Sequence, residues 1–178
     1  MKLFNKEIIL EPLDIDDNDI VAMFDGSIIV EKRQLGDPIF SQEQLGQTIA
    51  FNSSDNNVVI CSPANGKVSY IFPDNQSFII ETNNNLQLFI RIGTTTDENK
   101  GNRLDFLDVK PGQSIKAGDP IIKLDMKKSP DTPVILVLTN NDNKKISFIK
   151  NGVLNRGDSL LKKNWLFIIS FNYQVYII

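Results

Sequence analysis

Histidine is absent from all 178 residues. That excludes the side chain whose ordinary pKa lies near neutrality, and with it an imidazole general base, a phosphohistidine and an imidazole metal ligand. Cysteine occurs once, as Cys61, so no intramolecular disulfide can form and a reducing cytosol is the simplest compartment. The usual zinc sites draw on His and Cys, so neither a metal nor a cofactor is expected. The net charge of -3 offers no general basis for binding nucleic-acid phosphates. Long apolar runs are missing as well: Lys6 and Glu7 interrupt the amino-terminal one, and the 165–178 stretch is too short to span a bilayer and contains Asn172 and Gln174. A cytoplasmic protein without stable membrane insertion is expected.

What remains is ordinary globular material, 41% hydrophobic and 23% charged, enough to close one core. Most apolar runs are short, rich in Ile, Val and Phe, and bounded by Gly, Pro, Asn or Asp, which is the pattern of strands joined by turns. Strands are expected at 27–31, 58–61, 67–72, 78–81, 87–92, 121–125, 134–138 and 166–171, with one short helical turn within 97–107. A Gly-Asp turn feeding an apolar strand recurs at Gly36-Asp37, Gly118-Asp119 and Gly157-Asp158, and two further turns, Asp25-Gly26-Ser27-Ile28 and Asn65-Gly66-Lys67-Val68, match each other. Glycine supplies positive φ and aspartate bonds the local backbone. Repeated units of this kind predict an all-β fold, an antiparallel β-sandwich or flattened barrel built from related halves.

Several segments match one known family in order and spacing. Ala22-Met23-Phe24-Asp25-Gly26 and Ser62-Pro63-Ala64-Asn65-Gly66 resemble its two Ala-Pro-x-x-Gly turns. Asp37-Pro38-Ile39-Phe40-Ser41 and the Leu45-Gly46-Gln47-Thr48-Ile49-Ala50 strand follow. Ile71-Phe72-Pro73-Asp74-Asn75-Gln76 is similar to the loop bearing its first histidine, Leu88-Phe89-Ile90-Arg91-Ile92-Gly93-Thr94 to the strand bearing its second, and Lys116-Ala117-Gly118-Asp119 and Ile122-Lys123-Leu124-Asp125 extend the match. The run from about Ala22 to Thr139 resembles the glucose-type enzyme IIA, the sugar-specific phosphocarrier domain of the bacterial phosphoenolpyruvate-dependent phosphotransferase system. The family's duplicated hybrid motif implies residues 22–163 as the β domain, with 1–21 an amino-terminal segment free to move and 164–178 an apolar extension that adds a strand or forms a contact between copies.

The resemblance implies two phosphate-handling histidines, and this chain has Gln76 and Arg91 in their places. Thr95 and Arg103 also depart from the family pattern. A guanidinium is permanently protonated and offers only donors, so Arg91 cannot attack a phosphoryl group. Arg91 either contacts an anion together with Gln76 and Asp74 or is consumed in a salt bridge to Asp74. Ile39, Phe40, Leu45, Phe72, Phe78 and Phe89 fall at positions that, by resemblance, rim the site and dock partner proteins, namely the phosphocarrier protein, sugar-permease domains or regulated transporters. Three readings follow: a binding or regulatory module that does not carry phosphate on histidine, a sugar-transport phosphocarrier with an unconventional acceptor such as Asp74, or a relic. Cys61 as a substitute nucleophile loses to a buried structural thiol. Asp125-Met126-Lys127-Lys128, faintly like a biotinyl-carrier hairpin, is better read as a solvated loop.

Overall fold

The computed structural model describes residues 10–94, 104–106 (backbone only), 108–127, 131–140 and 146–162. Its strands are β1 (Gly26–Ile28), β2 (Gln47–Asn52), β3 (Asn57–Cys61), β4 (Gly66–Ile71), β5 (Ser77–Thr82), β6 (Gln87–Ile92), β7 (Leu104–Phe106), β8 (Ser114–Ile115), β9 (Pro120–Asp125), β10 (Val134–Leu138) and β11 (Val153–Leu154). A 3-10 turn at Lys32–Leu35 and one helical turn, α1 (Pro38–Ser41), are the helical elements among the described residues. All named strand pairs are antiparallel, forming an eight-stranded sheet in the order β11-β1-β2-β10-β6-β5-β4-β8 and a three-stranded sheet β3-β9-β7.

The two sheets enclose one apolar core that includes Ile49, Phe51, Ile60, Phe78, Ile80, Ile90, Ile122, Leu124 and Leu136. Period-two alternation assigns these side chains: in β6, Leu88, Ile90 and Ile92 point inward while Phe89 and Arg91 take the outer face. Strand β10 breaks the alternation because both of its faces are covered. Val134, Leu136 and Leu138 join the central core, whereas Ile135 and Val137 meet Leu35, Phe40 and Ala50 in a second cluster under the Lys32–Leu35 turn and α1. A continuous Val-Ile-Leu-Val-Leu run is what a doubly buried strand needs.

The turn repeats form a seam of matched hydrogen bonds. Ser62 N donates to Asp119 O and Gly118 N to Ser62 O, while Ala22 N donates to Asp158 O and Gly157 N to Ala22 O. The carboxylate of Asp119 accepts from Lys116 N, and that of Asp158 from Asn155 N. Asn65 Oδ1 accepts from Ala117 N as Asp25 Oδ1 accepts from Arg156 N. Two related halves therefore meet with the same local chemistry. Leu13 lies over both turns: a β-carbon on Gly118 would approach its Cγ to 2.8 Å, and one on Gly157 its Cδ1 to 3.1 Å.

Three expectations need correction. Gly36-Asp37 feeds a helix instead of a strand: the Asp37 carboxylate accepts forward from Ile39 N at 2.9 Å and caps the helix, whereas Asp119, which is also followed by a proline, accepts backward from Lys116 N and leads into β9. Residues 104–106, placed within a helical turn, form β7 against β9, and 97–103 lie outside the described residues. Of the described residues before Ala22, Ile20 and Val21 are buried in the core region and Leu13 N is bonded to Ala117 O, while Glu11, Pro12, Asp14, Asp16, Asp17 and Asn18 are exposed. The short strands β8 and β11 escaped the apolar-run pattern because each contributes two residues. The expectations for Thr95, Arg103 and 164–178, with the strand at 166–171, lie outside the described residues.

Candidate functional site

The outer ends of β5 and β6 set the geometry. Ser77 is the register partner of Arg91, and the tight turn that leads into β5 brings Asp74 and Gln76 alongside. Asn75 holds a left-handed φ of 53° there, a conformation that asparagine tolerates, and its N–H donates to Phe72 O. Ile92 N donates to Gln76 O at 2.8 Å, which carries the ladder past the strand end. Gln76, Arg91 and Asp74 are thus brought together as the sequence predicts.

Arg91 is not available as a free cation. Its Nη1 donates to Asp74 Oδ2 at 2.7 Å and to Ser77 Oγ at 2.8 Å, and Nη2 reaches Thr94 O at 3.4 Å. Asp74 uses its other oxygen to accept from Gln76 N at 3.0 Å. Partial burial works against ionisation of Asp74, but the amide of Gln76, the guanidinium of Arg91 and the amide of Ser77 together outweigh it and hold the carboxyl below its ordinary value. The salt-bridge reading of Arg91 therefore holds, and the pair presents a nearly neutral centre. Gln76 Oε1 and Arg91 Nε are buried and make no hydrogen bond among the described residues. Such groups are costly to leave unpaired, on the order of 1–3 kcal/mol each, so the site is a polar socket and not optimised core.

Around this centre runs a chain of rings. Phe40 stacks on Phe89 at 6.3 Å, Phe89 meets Phe72 edge-on at 5.7 Å, and Phe72 meets Tyr70 edge-on at 5.0 Å. Edge-on and offset pairs of this kind contribute about 0.5–1.5 kcal/mol each beyond area burial, which fixes the rings in place. Ile39 and Leu45 are 37% and 46% exposed, and Phe72 and Phe89 are half-buried. Phe78 is a correction: it points inward with Ile80 as part of the central core and cannot touch a partner. Phe40 is also covered, lying under the outer face as support for Phe89. Tyr70 was missed and is 48% exposed, extending the apolar surface beyond Phe72. Alternation gave no signal for it, because Tyr70 shares parity with buried Val68 and only the register shift between the two in the β4–β5 ladder turns it outward.

Cys61 is buried, and desolvation pushes its thiol up to about 11, so it is a structural residue without thiolate character at neutral pH. Among the described residues no helix is long and apolar enough to cross a membrane.

An antiparallel sandwich of two related halves, with a polar pair between β5 and β6 ringed by aromatic side chains, defines a phosphotransferase-type IIA domain. The chain belongs to the family described as phosphoenolpyruvate-dependent sugar phosphotransferase system, EIIA 1, whose model matches residues 18–144. It is 29% identical over 143 residues to the glucose-specific EIIA component of Mycoplasma capricolum, covering 78% of this chain and 90% of that protein. It is 34% identical over 119 residues to the glucose-specific EIIA component of Staphylococcus epidermidis, covering 64% and 69% respectively. The solved glucose permease IIA from Mycoplasma capricolum superimposes with a TM-score of 0.68 at 28% identity, covering 90% of this chain and 98% of that one.

Proposed function

We propose that this domain does not carry phosphate on histidine and acts as a binding or regulatory module of the phosphotransferase system, docking phosphocarrier, sugar-permease or regulated transporter domains through the Leu45–Phe72–Phe89 surface. The observation that carries the reading is the state of Arg91, a donor-only side chain at the position the family resemblance gives to the nucleophile, held by Asp74 and Ser77. A relative from Streptococcus pneumoniae, a glucose-specific EIICBA component, is matched over 19% of its length, which supports permease domains as one class of partner. An apolar rim around a neutral centre suits protein docking, because apolar burial drives association without the cost of desolvating an unpaired charge. Asp74 as an unconventional acceptor is disfavoured, since both of its oxygens are engaged by donors. Incubation with phosphoenolpyruvate and the two general phosphotransfer proteins, followed by intact mass, tests the reading. No added phosphoryl group is expected. A stoichiometric phosphorylated species overturns it, and a label mapped to Asp74 installs the carrier reading instead.

A further inference from the structure

Beside Ser41 and Glu43 lies a groove of about 600 Å³, walled by the 28–33 segment, the start of β2 and the 147–150 segment. That volume falls within the range of small-molecule sites, about 300–1,000 Å³. Its lining includes the buried apolar residues Ile28, Ile49 and Phe148. Val30 also lines it and is 63% exposed, a large β-branched side chain left facing water.

The charged part of the lining is mostly cationic. Lys32, Arg33, Lys150 and Lys162 stand against Glu31 and Glu43, an excess of positive charge in a chain whose net charge is -3. Glu43 is already satisfied: its carboxylate pairs with Lys32 and accepts from Thr48 N at 3.1 Å. Partial burial opposes its ionisation, but the bonds from Lys32 and Thr48 and the field of Lys150 prevail, so it stays ionised and committed to those partners. Its backbone holds a left-handed φ of 55°, an uncommon conformation for glutamate. Among the described residues Arg33, Lys150 and Lys162 make no ion pair.

We propose that this groove binds a small organic anion, an aromatic or acyl body carrying a carboxylate or phosphate group. The body covers Val30 and the apolar lining, and the anionic end meets Arg33, Lys150 and Lys162, which make no ion pair among the described residues. Isolated surface lysines are ordinarily content in water and contribute little. Here they border an apolar cavity, so a ligand gains from both the charge and the area it removes from water. Neither half of such a ligand suffices by itself.

The test is titration of the isotope-labelled full chain with phenyl phosphate, followed by amide NMR shifts, with inorganic phosphate and benzyl alcohol as the two half-ligands. Phenyl phosphate is expected to shift the amides of Val30, Lys32, Thr48 and Lys150 saturably, and each half-ligand to bind about tenfold more weakly or less. Lys150→Glu with Lys162→Glu should weaken phenyl phosphate about tenfold while Lys67→Glu, remote from the groove, leaves it unchanged. If the charge reversal does not fold, Lys150→Gln with Lys162→Gln serves, with about a threefold weakening expected. Shifts confined to other residues, absence of saturation, equal binding by benzyl alcohol, or unchanged affinity in a folded double variant overturns the proposal.

Discussion

The seam between the two halves and the socket between β5 and β6 are held by different kinds of atoms. At the seam, main-chain N–H and C=O groups of Ala22, Ser62, Gly118, Gly157, Asp119 and Asp158 bond one another, and side chains enter mainly as local acceptors. In the socket, by contrast, the arrangement rests on side-chain atoms of Arg91, Asp74 and Ser77. Backbone bonds survive most substitutions and side-chain chemistry does not. The contrast lets a chain keep the family's fold while the side chains of the socket change chemical type, which is how we read Gln76 and Arg91.

The seam should be the costlier region to disturb. Gly118 has φ of +85°, and an added β-carbon would meet Leu13 and Arg156 at 2.8 and 2.9 Å, so Gly118→Ala combines left-handed strain with overpacking. We expect a loss of about 2–4 kcal/mol in chemical denaturation. Gly36 has φ of +68° with nothing within 4 Å, so Gly36→Ala should cost only the strain, about 1–2 kcal/mol. Equal losses at the two glycines would remove the claim that Leu13 packs the seam tightly.

The outer apolar surface should show the reverse pattern, a binding defect without a stability defect. Leu45 is exposed, and Leu45→Asp should leave the denaturation midpoint within about 0.5 kcal/mol of wild type. Binding to the general phosphocarrier protein, read by calorimetry, should weaken about tenfold or more. Unchanged affinity would take Leu45 out of the docking surface.

The smallest effect belongs to the ion pair. The Asp74 side chain is 42% exposed, so screening reduces what the pair contributes, and Arg91→Met should cost about 1 kcal/mol or less near neutral pH. The folded-state pKa of Asp74 is depressed, so its contribution is present above the unfolded value of 3.8 and is lost as pH falls through the lower folded value. The stability gap between wild type and Arg91→Met should therefore narrow in acid, below about pH 4. A gap that stays constant from neutral pH into acid would show that Arg91 acts through packing of its stem and not through its charge.

Much of this was readable beforehand, and the failures have physical causes. Runs such as Gln87–Ile92 and Val134–Leu138 were placed to the residue, because apolar pattern and turn residues agree there. Gly118-Asp119 feeds β9 as the dipeptide predicts, Gly157-Asp158 makes the same turn but leads only into isolated bridges at Ser159 and Leu161, and Gly36-Asp37 turns helical because its carboxylate accepts forward from Ile39 N. Phe78 was read as docking surface although its parity with Ile80, opposite to Glu81, points it inward. The approach of Arg91 to Asp74 was open as an alternative in sequence, and only the β5–β6 register decides it. The groove left no motif, since the 147–150 wall lies about a hundred residues from the other two along the chain.

The central claim is that the difference from a histidine phosphocarrier lies in the side chains of the socket and not in the fold that presents them. It is tested most directly by comparing wild type with the Gln76→His, Arg91→His double variant, each incubated with phosphoenolpyruvate and the two general phosphotransfer proteins and weighed intact. The account predicts an unmodified wild type and a double variant that gains one phosphoryl group, released again by acid as expected of phosphohistidine. A phosphorylated wild type, or a well-folded double variant that accepts nothing, would contradict it.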